Sequence, residues 1–265
     1  GTKVTPEQAR GATGVNIPGQ LAAGMVSAHG SLGQFRDLSA DRTAANPNLR
    51  AVDAFDPFVW ELARAGASGI TCVALAPGSR ATIGGRAALV TPGMLGETPM
   101  GGTLDPDNYL KLSFAGEARS SSRFPTSLMG GVDLASTMFA AAARAEDDDP
   151  AVQPLMQVVA GSRPMLVHAR SRAELRAALD LAEQHGVAPM LLGANEALDL
   201  LPRIARAQGA LLLPPLRASA EPKELELAGK AHAAGVRIAF VGETGESLRW
   251  SAALAVRHEH RSTWR

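Results

Sequence analysis

Short apolar runs alternate with longer stretches of helical spacing along most of the chain, and this pattern is typical of βα units. Eight runs of strand length stand out, and most of them end in small or polar residues. They are residues 24–29, 69–75, 86–90, 110–115, 164–169, 188–193, 209–213 and 236–241. Eight parallel strands with helices between them close a barrel of roughly 250 residues, so the sequence predicts an α/β fold of the (β/α)8, TIM-like type.

A doubly wound parallel sheet is the alternative that the same pattern allows. In dinucleotide-binding proteins such a sheet carries a G-x-G-x-x-G turn after its first strand, and no such turn follows residues 24–29. The pair Gly84 and Gly85 lies beside the third run, but without the spacing of that fingerprint. These observations favour the barrel.

The helix with the clearest boundaries follows the fifth apolar run. Ser171 can cap its first turn, Glu174 can complete a capping box, and Gly186 is a suitable end. Because the run before this helix ends near His168, that side chain is predicted at the C-terminal end of a strand, where barrel enzymes keep their chemistry. Residues 34–48 and 79–106 are predicted as loops, and the second of these is expected to fold over the barrel mouth.

Composition excludes several classes of protein. The 265 residues carry 26 basic and 26 acidic side chains, so no net field attracts nucleic acid or an anionic membrane. No apolar stretch reaches the roughly 18 residues that a membrane span requires, and a lone Cys72 can form no internal disulfide. The sequence starts at Gly1 rather than Met. It therefore does not decide whether the protein is cytoplasmic or is exported after removal of a leader.

Several motifs, taken in order, resemble the imidazolonepropionase-like branch of the amidohydrolase superfamily. They are GMVSAHGSLG at 24–33, GASGITCVALAPGS at 66–79, LKLSFAGEAR at 110–119, RFPTSLMG at 123–130, PMLVHARSRAELRAALDLAEQHG at 164–186 and AAGVRIAFVGETGESLRWSAALAVR at 233–257. The resemblance implies a barrel over residues 24–265 together with an accessory β-sandwich. Only residues 15–24 resemble part of that sandwich, so residues 1–23 are predicted to be its remnant and the rest is expected to be missing.

The resemblance also implies a divalent metal at the barrel mouth, and the expected ligands are incomplete here. The first position of the family's H-x-H is His29, but Ser31 stands at the second. His168 matches the ligand after strand five, and Lys111 or Glu117 could supply the ligand from the middle strands. Gly193 and Gly242 stand where a His and an Asp are expected. We therefore expect no metal; if one is present, it is zinc or another divalent metal, and its ligands are His29, His168 and Lys111.

The leading hypothesis is an amidohydrolase-like protein that has lost its metal centre and acts as a non-catalytic subunit or a small-molecule-binding protein. Its predicted pocket at the barrel mouth contains His29, Ser31, Lys111, Glu117, His168 and Glu243. The alternative is a metal-dependent hydrolase of C–N bonds, in cyclic amides or amidines, with a reduced mononuclear site. The incomplete sandwich predicts association, either as a homo-oligomer or with a related amidohydrolase subunit.

Overall fold

The eight apolar runs all form strands of one sheet in this computed structural model, which describes residues 5, 7, 10, 11, 18, 22–34, 40–95, 98, 99, 101–145 and 149–259. The strands are β1 (Met25–Gly30), β2 (Ile70–Leu75), β3 (Ile83–Thr91), β6 (Gly102–Ser113), β7 (Met165–Ala169), β8 (Pro189–Gly193), β9 (Ala210–Leu213) and β10 (Arg237–Phe240). Two further short strands, β4 (Met94–Leu95) and β5 (Thr98–Pro99), form a separate hairpin between β3 and β6.

The sheet curls into a nearly closed barrel. Its strands are hydrogen-bonded in the order β1-β2-β3-β6-β7-β8-β9-β10, and the two outermost strands, β1 and β10, lie side by side. The hydroxyl of Ser27 on β1 donates to the carbonyl of Gly242, just beyond β10, at 2.7 Å. This architecture confirms the predicted TIM-like barrel at the level of its strands.

The third strand departs from the predicted parallel pattern. β3 pairs antiparallel with both β2 and β6, whereas β6 to β10 pair in parallel, as do β1 and β2. Only residues 76–82 connect β2 to β3, and a parallel crossover needs a dozen or more residues. The prediction of residues 79–106 as a loop was wrong, because β3 and the first part of β6 lie within that range.

Seven α-helices accompany the sheet in the part of the chain that the structure describes: α1 (Trp60–Ala67), α2 (Leu128–Ala142), α3 (Gln153–Val159), α4 (Arg172–His185), α5 (Leu201–Arg206), α6 (Pro222–Ala233) and α7 (Gly245–Glu259). The predicted capping box of α4 is present. The Ser171 hydroxyl accepts from the backbone of Glu174, the Glu174 carboxylate accepts from the backbone of Ser171, and Gly186 ends the helix with φ 65°. These capping contacts fix where α4 begins, directly after β7, and so hold the end of that strand.

Three clusters of buried apolar side chains stabilise this arrangement among the described residues. The largest joins α2, α4 and α6 to the outer face of the sheet, with Phe139, Leu179 and Ala228 among its buried members. A second cluster packs α1 and α7 against β2 and β3. Small and medium side chains, including Ala74, Ala87 and Leu212, fill the inside of the barrel together with Tyr109. In the described part of the chain no helix is long and apolar enough to cross a membrane. Most of the predicted sandwich remnant, residues 1–23, lies outside the described residues.

Candidate functional site

A cavity of about 620 Å³ opens at the end of the barrel where the parallel strands finish. Four of the six predicted site residues line it, namely His29, Ser31, Lys111 and Glu243. The loop after β2 contributes Pro77, Gly78 and Ser79 to its wall. On the other side, Thr244 comes from the loop after β10 and Ser247 from the first turn of α7. We call this space the central cavity.

Lys111 lies at the depth of the central cavity, on the fourth strand of the barrel. Its side chain is only 2% exposed, and its ammonium donates to the carbonyl of Pro77 at 2.5 Å. Ser113, two residues along β6, is directly opposite His168 on β7, and residues two apart on a strand share a face. Lys111 and His168 therefore point to the same side of the sheet.

The hydrogen bonds of His29 determine its tautomer. The Nζ of Lys111 is 3.4 Å from Nε2 of His29, and an ammonium can donate but never accept. With Lys111 protonated, Nε2 is the unprotonated nitrogen, and Nδ1 carries the proton that is directed at the Tyr109 oxygen, 3.1 Å away. The single lone pair on the ring of His29 is thus already occupied by a cation.

His168 repeats this arrangement on the neighbouring strand. The Nε of Arg170 donates to Nε2 of His168 at 3.2 Å, because a guanidinium is also a donor only. Nδ1 of His168 therefore carries the proton and donates to the Ser79 hydroxyl at 2.9 Å. Ser79 lines the central cavity, so His168 lies one side chain behind the cavity wall.

Both imidazoles are neutral near pH 7. Burial lowers the pKa of His29 well below its ordinary value, and the nearby Lys111 and His168 lower it further. Burial also lowers the pKa of His168 to about 4, with help from Lys111 and Arg170. The carboxylates of Glu117 and Glu174 oppose this second shift without cancelling it. Burial raises the pKa of the Tyr109 phenol, which stays protonated beside His29.

A side chain would be strained or crowded at both glycines that stand at expected ligand positions. Gly193 has φ +90°, and a Cβ there would lie 3.2 Å from Cγ of Arg170, the same residue that binds His168. A Cβ on Gly242 would lie 2.5 Å from Oγ of Ser247 and 3.1 Å from Cδ2 of Leu248. Neighbouring side chains would therefore have to shift to admit a side chain at either position.

The remaining predicted residues are divided between two places. Glu243 follows β10 in a loop, so it is free of strand alternation, and it accepts a 2.8 Å hydrogen bond from the Ser31 hydroxyl at the exposed rim of the central cavity. Glu117 lies outside this cavity and forms an ion pair with Arg170. Burial alone would raise the pKa of Glu117, but its own backbone N–H and Arg170 outweigh that effect and lower it.

Sequence reasoning missed Tyr109, Ser79 and Arg170. Tyr109 could have been found, because it is the only tyrosine of the chain and lies two residues before Lys111 on the same strand face. Arg170 follows the His168 strand directly, but its bond to the imidazole depends on the bend of the chain into α4. Within the described ranges, no three His, Cys, Asp or Glu side chains are grouped so that they could hold a metal ion.

Comparisons with known proteins give two different results. Among solved structures, an amidohydrolase from Thermotoga maritima MSB8 is similar with a TM-score of 0.76 and 21% identity, over 89% of this chain and 70% of that chain. This level of identity establishes the fold alone. A family model described as asparagine synthase matches residues 107–265, and no curated protein matches. Residue 107 lies inside β6, so the matched segment is part of the barrel rather than a separate domain.

Proposed function

On the extent of its match to the family model the chain belongs to the asparagine synthase family, yet it folds like an amidohydrolase, and we propose that its barrel binds a small zwitterionic molecule without metal-dependent catalysis. One observation carries this proposal. The lone pair on the imidazole of His29 accepts a hydrogen bond from Lys111, and that of His168 accepts one from Arg170. Both donors are cationic side chains.

The residues present do not fit the catalytic metal that the fold implies. A zinc site of that kind requires three protein ligands with available lone pairs and one open position. Here two imidazoles face cations, Lys111 contributes a positive charge, and the positions of Gly193 and Gly242 are closed by Arg170, Ser247 and Leu248. A metal ion would have to displace both Lys111 and Arg170. These contacts support the loss of the metal centre.

The charges around the central cavity indicate the class of ligand. Lys111 places a buried positive charge at its depth, and Glu243 places a carboxylate at its rim. A molecule with a negative end and a positive end can satisfy both, and a free amino acid is the simplest example. The family's description names asparagine, which has this chemistry. The hydroxyls of Ser31 and Ser79 also line the central cavity and can contact the ligand between these two charges.

Titration calorimetry with L-asparagine and L-aspartate tests the proposal. We expect binding to the wild type, a loss of about tenfold or more in Lys111→Met, and a smaller loss in Glu243→Gln, since each variant removes one charge-assisted contact. Glu246→Gln is the matched control, because Glu246 is an exposed carboxylate on α7 that does not line the central cavity, and it should bind like the wild type.

The same preparations separate this proposal from the hydrolase alternative. Elemental analysis of protein purified without added metal should find no stoichiometric zinc, iron or manganese. A stoichiometric metal that disappears in His168→Ala would contradict the proposal and favour a C–N hydrolase with a mononuclear site. Failure of both amino acids to bind at millimolar concentration would overturn the zwitterion assignment.

A further inference from the structure

A second cleft, of about 610 Å³, lies beside the central cavity and shares no lining residue with it. Four arginines and two serines give it its character, and we call it the arginine cleft: Arg42, Arg80, Arg119, Arg123, Ser120 and Ser122. Its lining is more polar than that of the central cavity, and nothing in the proposed function uses it. Its two acidic members are Asp41 and Glu117.

The charges of the arginine cleft do not balance. Asp41 pairs with Arg80 at 3.4 Å, Glu117 pairs with Arg170, and Arg119 pairs with Glu174, which lies outside the cleft. Both carboxylates of the cleft are therefore already engaged. Arg42 and Arg123 have no ion-pair partner among the described residues, which leaves an excess of two positive charges.

Arg123 is held in place by the backbone. Its guanidinium donates to the carbonyl of Arg80 at 2.7 Å, to that of Phe124 at 3.0 Å and to that of Ala118 at 3.3 Å. A guanidinium has five N–H groups, so two remain for a ligand after these three bonds. Fixing a long side chain in advance reduces the entropy lost when it binds an anion.

The serines add neutral donors to the same cleft. The hydroxyls of Ser120 and Ser122 are 3.1 Å apart and can each rotate to donate to a ligand. Two unbalanced guanidinium groups with hydroxyl donors match a tetrahedral dianion, because guanidinium pairs well with phosphate oxygens. We propose that the arginine cleft binds phosphate, either free or as a monoester of a small molecule.

The arginine cleft is also connected to His168, behind the wall of the central cavity, through a series of side-chain contacts. Glu117 lines the cleft and pairs with Arg170, and Arg170 donates to Nε2 of His168. An anion in the cleft would compete with Glu117 for the neighbouring cations. Its binding should therefore shift the imidazole resonances of His168, a readout that an unrelated surface site would not give.

Titration calorimetry with inorganic phosphate and with phenyl phosphate tests the proposal. We expect Arg42→Gln and Arg123→Gln each to weaken binding about tenfold, the factor that one charge-assisted hydrogen bond typically contributes. Arg144→Gln, which removes an exposed charge just beyond the C-terminal end of α2, should bind like the wild type. Tighter binding of phenyl phosphate would identify a monoester as the ligand, and equal binding would identify phosphate itself.

Two results would overturn the proposal. Equal weakening by Arg144→Gln would mean that phosphate responds only to overall charge. Loss of binding in Lys111→Met, with binding retained in Arg42→Gln and Arg123→Gln, would move the anion to the central cavity. Because Arg123 has several backbone contacts, circular dichroism must show that its variant is folded; Arg42→Gln, which breaks no ion pair among the described residues, decides the matter if it is not.

Discussion

The barrel strands that bear His29, Lys111 and His168 differ sharply from the strand ends that bear Gly193 and Gly242. On the first group the side chains expected of a catalytic barrel are retained, but their hydrogen-bonding atoms are engaged with one another. On the second group the side chains are absent, and neighbouring residues crowd the positions that their Cβ atoms would take. Under the proposed function, both the occupied lone pairs of the first group and the missing side chains of the second disfavour a metal ion.

The largest expected effect is on the pH dependence of stability, and it comes from His168. His168 has a pKa of about 4 in the folded protein and about 6.5 when unfolded, so the unfolded chain binds more protons between these values. The contribution of neutral His168 to the free energy of unfolding is fully present above about pH 6.5, and it is lost as the pH falls toward 4. Between pH 7 and pH 5 the loss is about 2 kcal/mol.

Urea unfolding at pH 7 and pH 5 measures this loss, with His168→Asn as the test variant. Between pH 7 and pH 5, the free energy of unfolding of the variant should fall by about 2 kcal/mol less than that of the wild type. His232→Asn, which makes the same change at an exposed position on α6, is the matched control. Parallel behaviour of the wild type and His168→Asn would mean that His168 is not held neutral.

The next effect is the loss of stability on adding a side chain at Gly242, one of the two glycines at the strand ends. Gly242→Ala places a methyl group against Ser247 and Leu248, and such overpacking should cost about 1 to 2 kcal/mol in the free energy of unfolding. Gly30→Ala is the matched control at the same barrel mouth, since its Cβ would make only ordinary contacts at 3.6 and 3.7 Å. Equal costs for the two variants would show that the space beside Gly242 is open.

The smallest effect is the loss of the hydrogen bond between His29 and Tyr109. Tyr109→Phe leaves the Nδ1 proton of His29 without its acceptor in a buried place, which should lower the free energy of unfolding by about 1 kcal/mol. Chemical denaturation at pH 7 provides the measurement. A variant as stable as the wild type would indicate that this proton has another partner, and the assigned tautomer of His29 would need revision.

The sequence predicted the strands of the barrel better than their directions. All eight apolar runs form strands, because burial of a strand requires a short continuous apolar segment whatever its direction. Direction depends on the connection, and the short link formed by residues 76–82 is the feature that prevents a parallel β3. The imidazolonepropionase-like branch and the predicted oligomer stay predictions.

The sequence predicted four of the residues that line the central cavity, but not their contacts. His29, Ser31, Lys111 and Glu243 could be placed at one barrel mouth, because parallel strands deliver their C-terminal ends to a common face. Glu117 could not be separated from them, since the short turn that follows β6 directs it into the arginine cleft. The bonds from Lys111 and Arg170 to the imidazoles depend on three-dimensional approach, which spacing along the chain does not encode.

Nitrogen NMR of the histidine side chains tests the central claim most directly, namely that the lone pairs of His29 and His168 are occupied by cations. Long-range nitrogen–proton correlation at pH 7 should show both rings as neutral imidazoles with the proton on Nδ1, and addition of one equivalent of zinc should leave their Nε2 resonances unchanged. Protons on Nε2, or a stoichiometric zinc-dependent shift of both Nε2 resonances, would contradict the account.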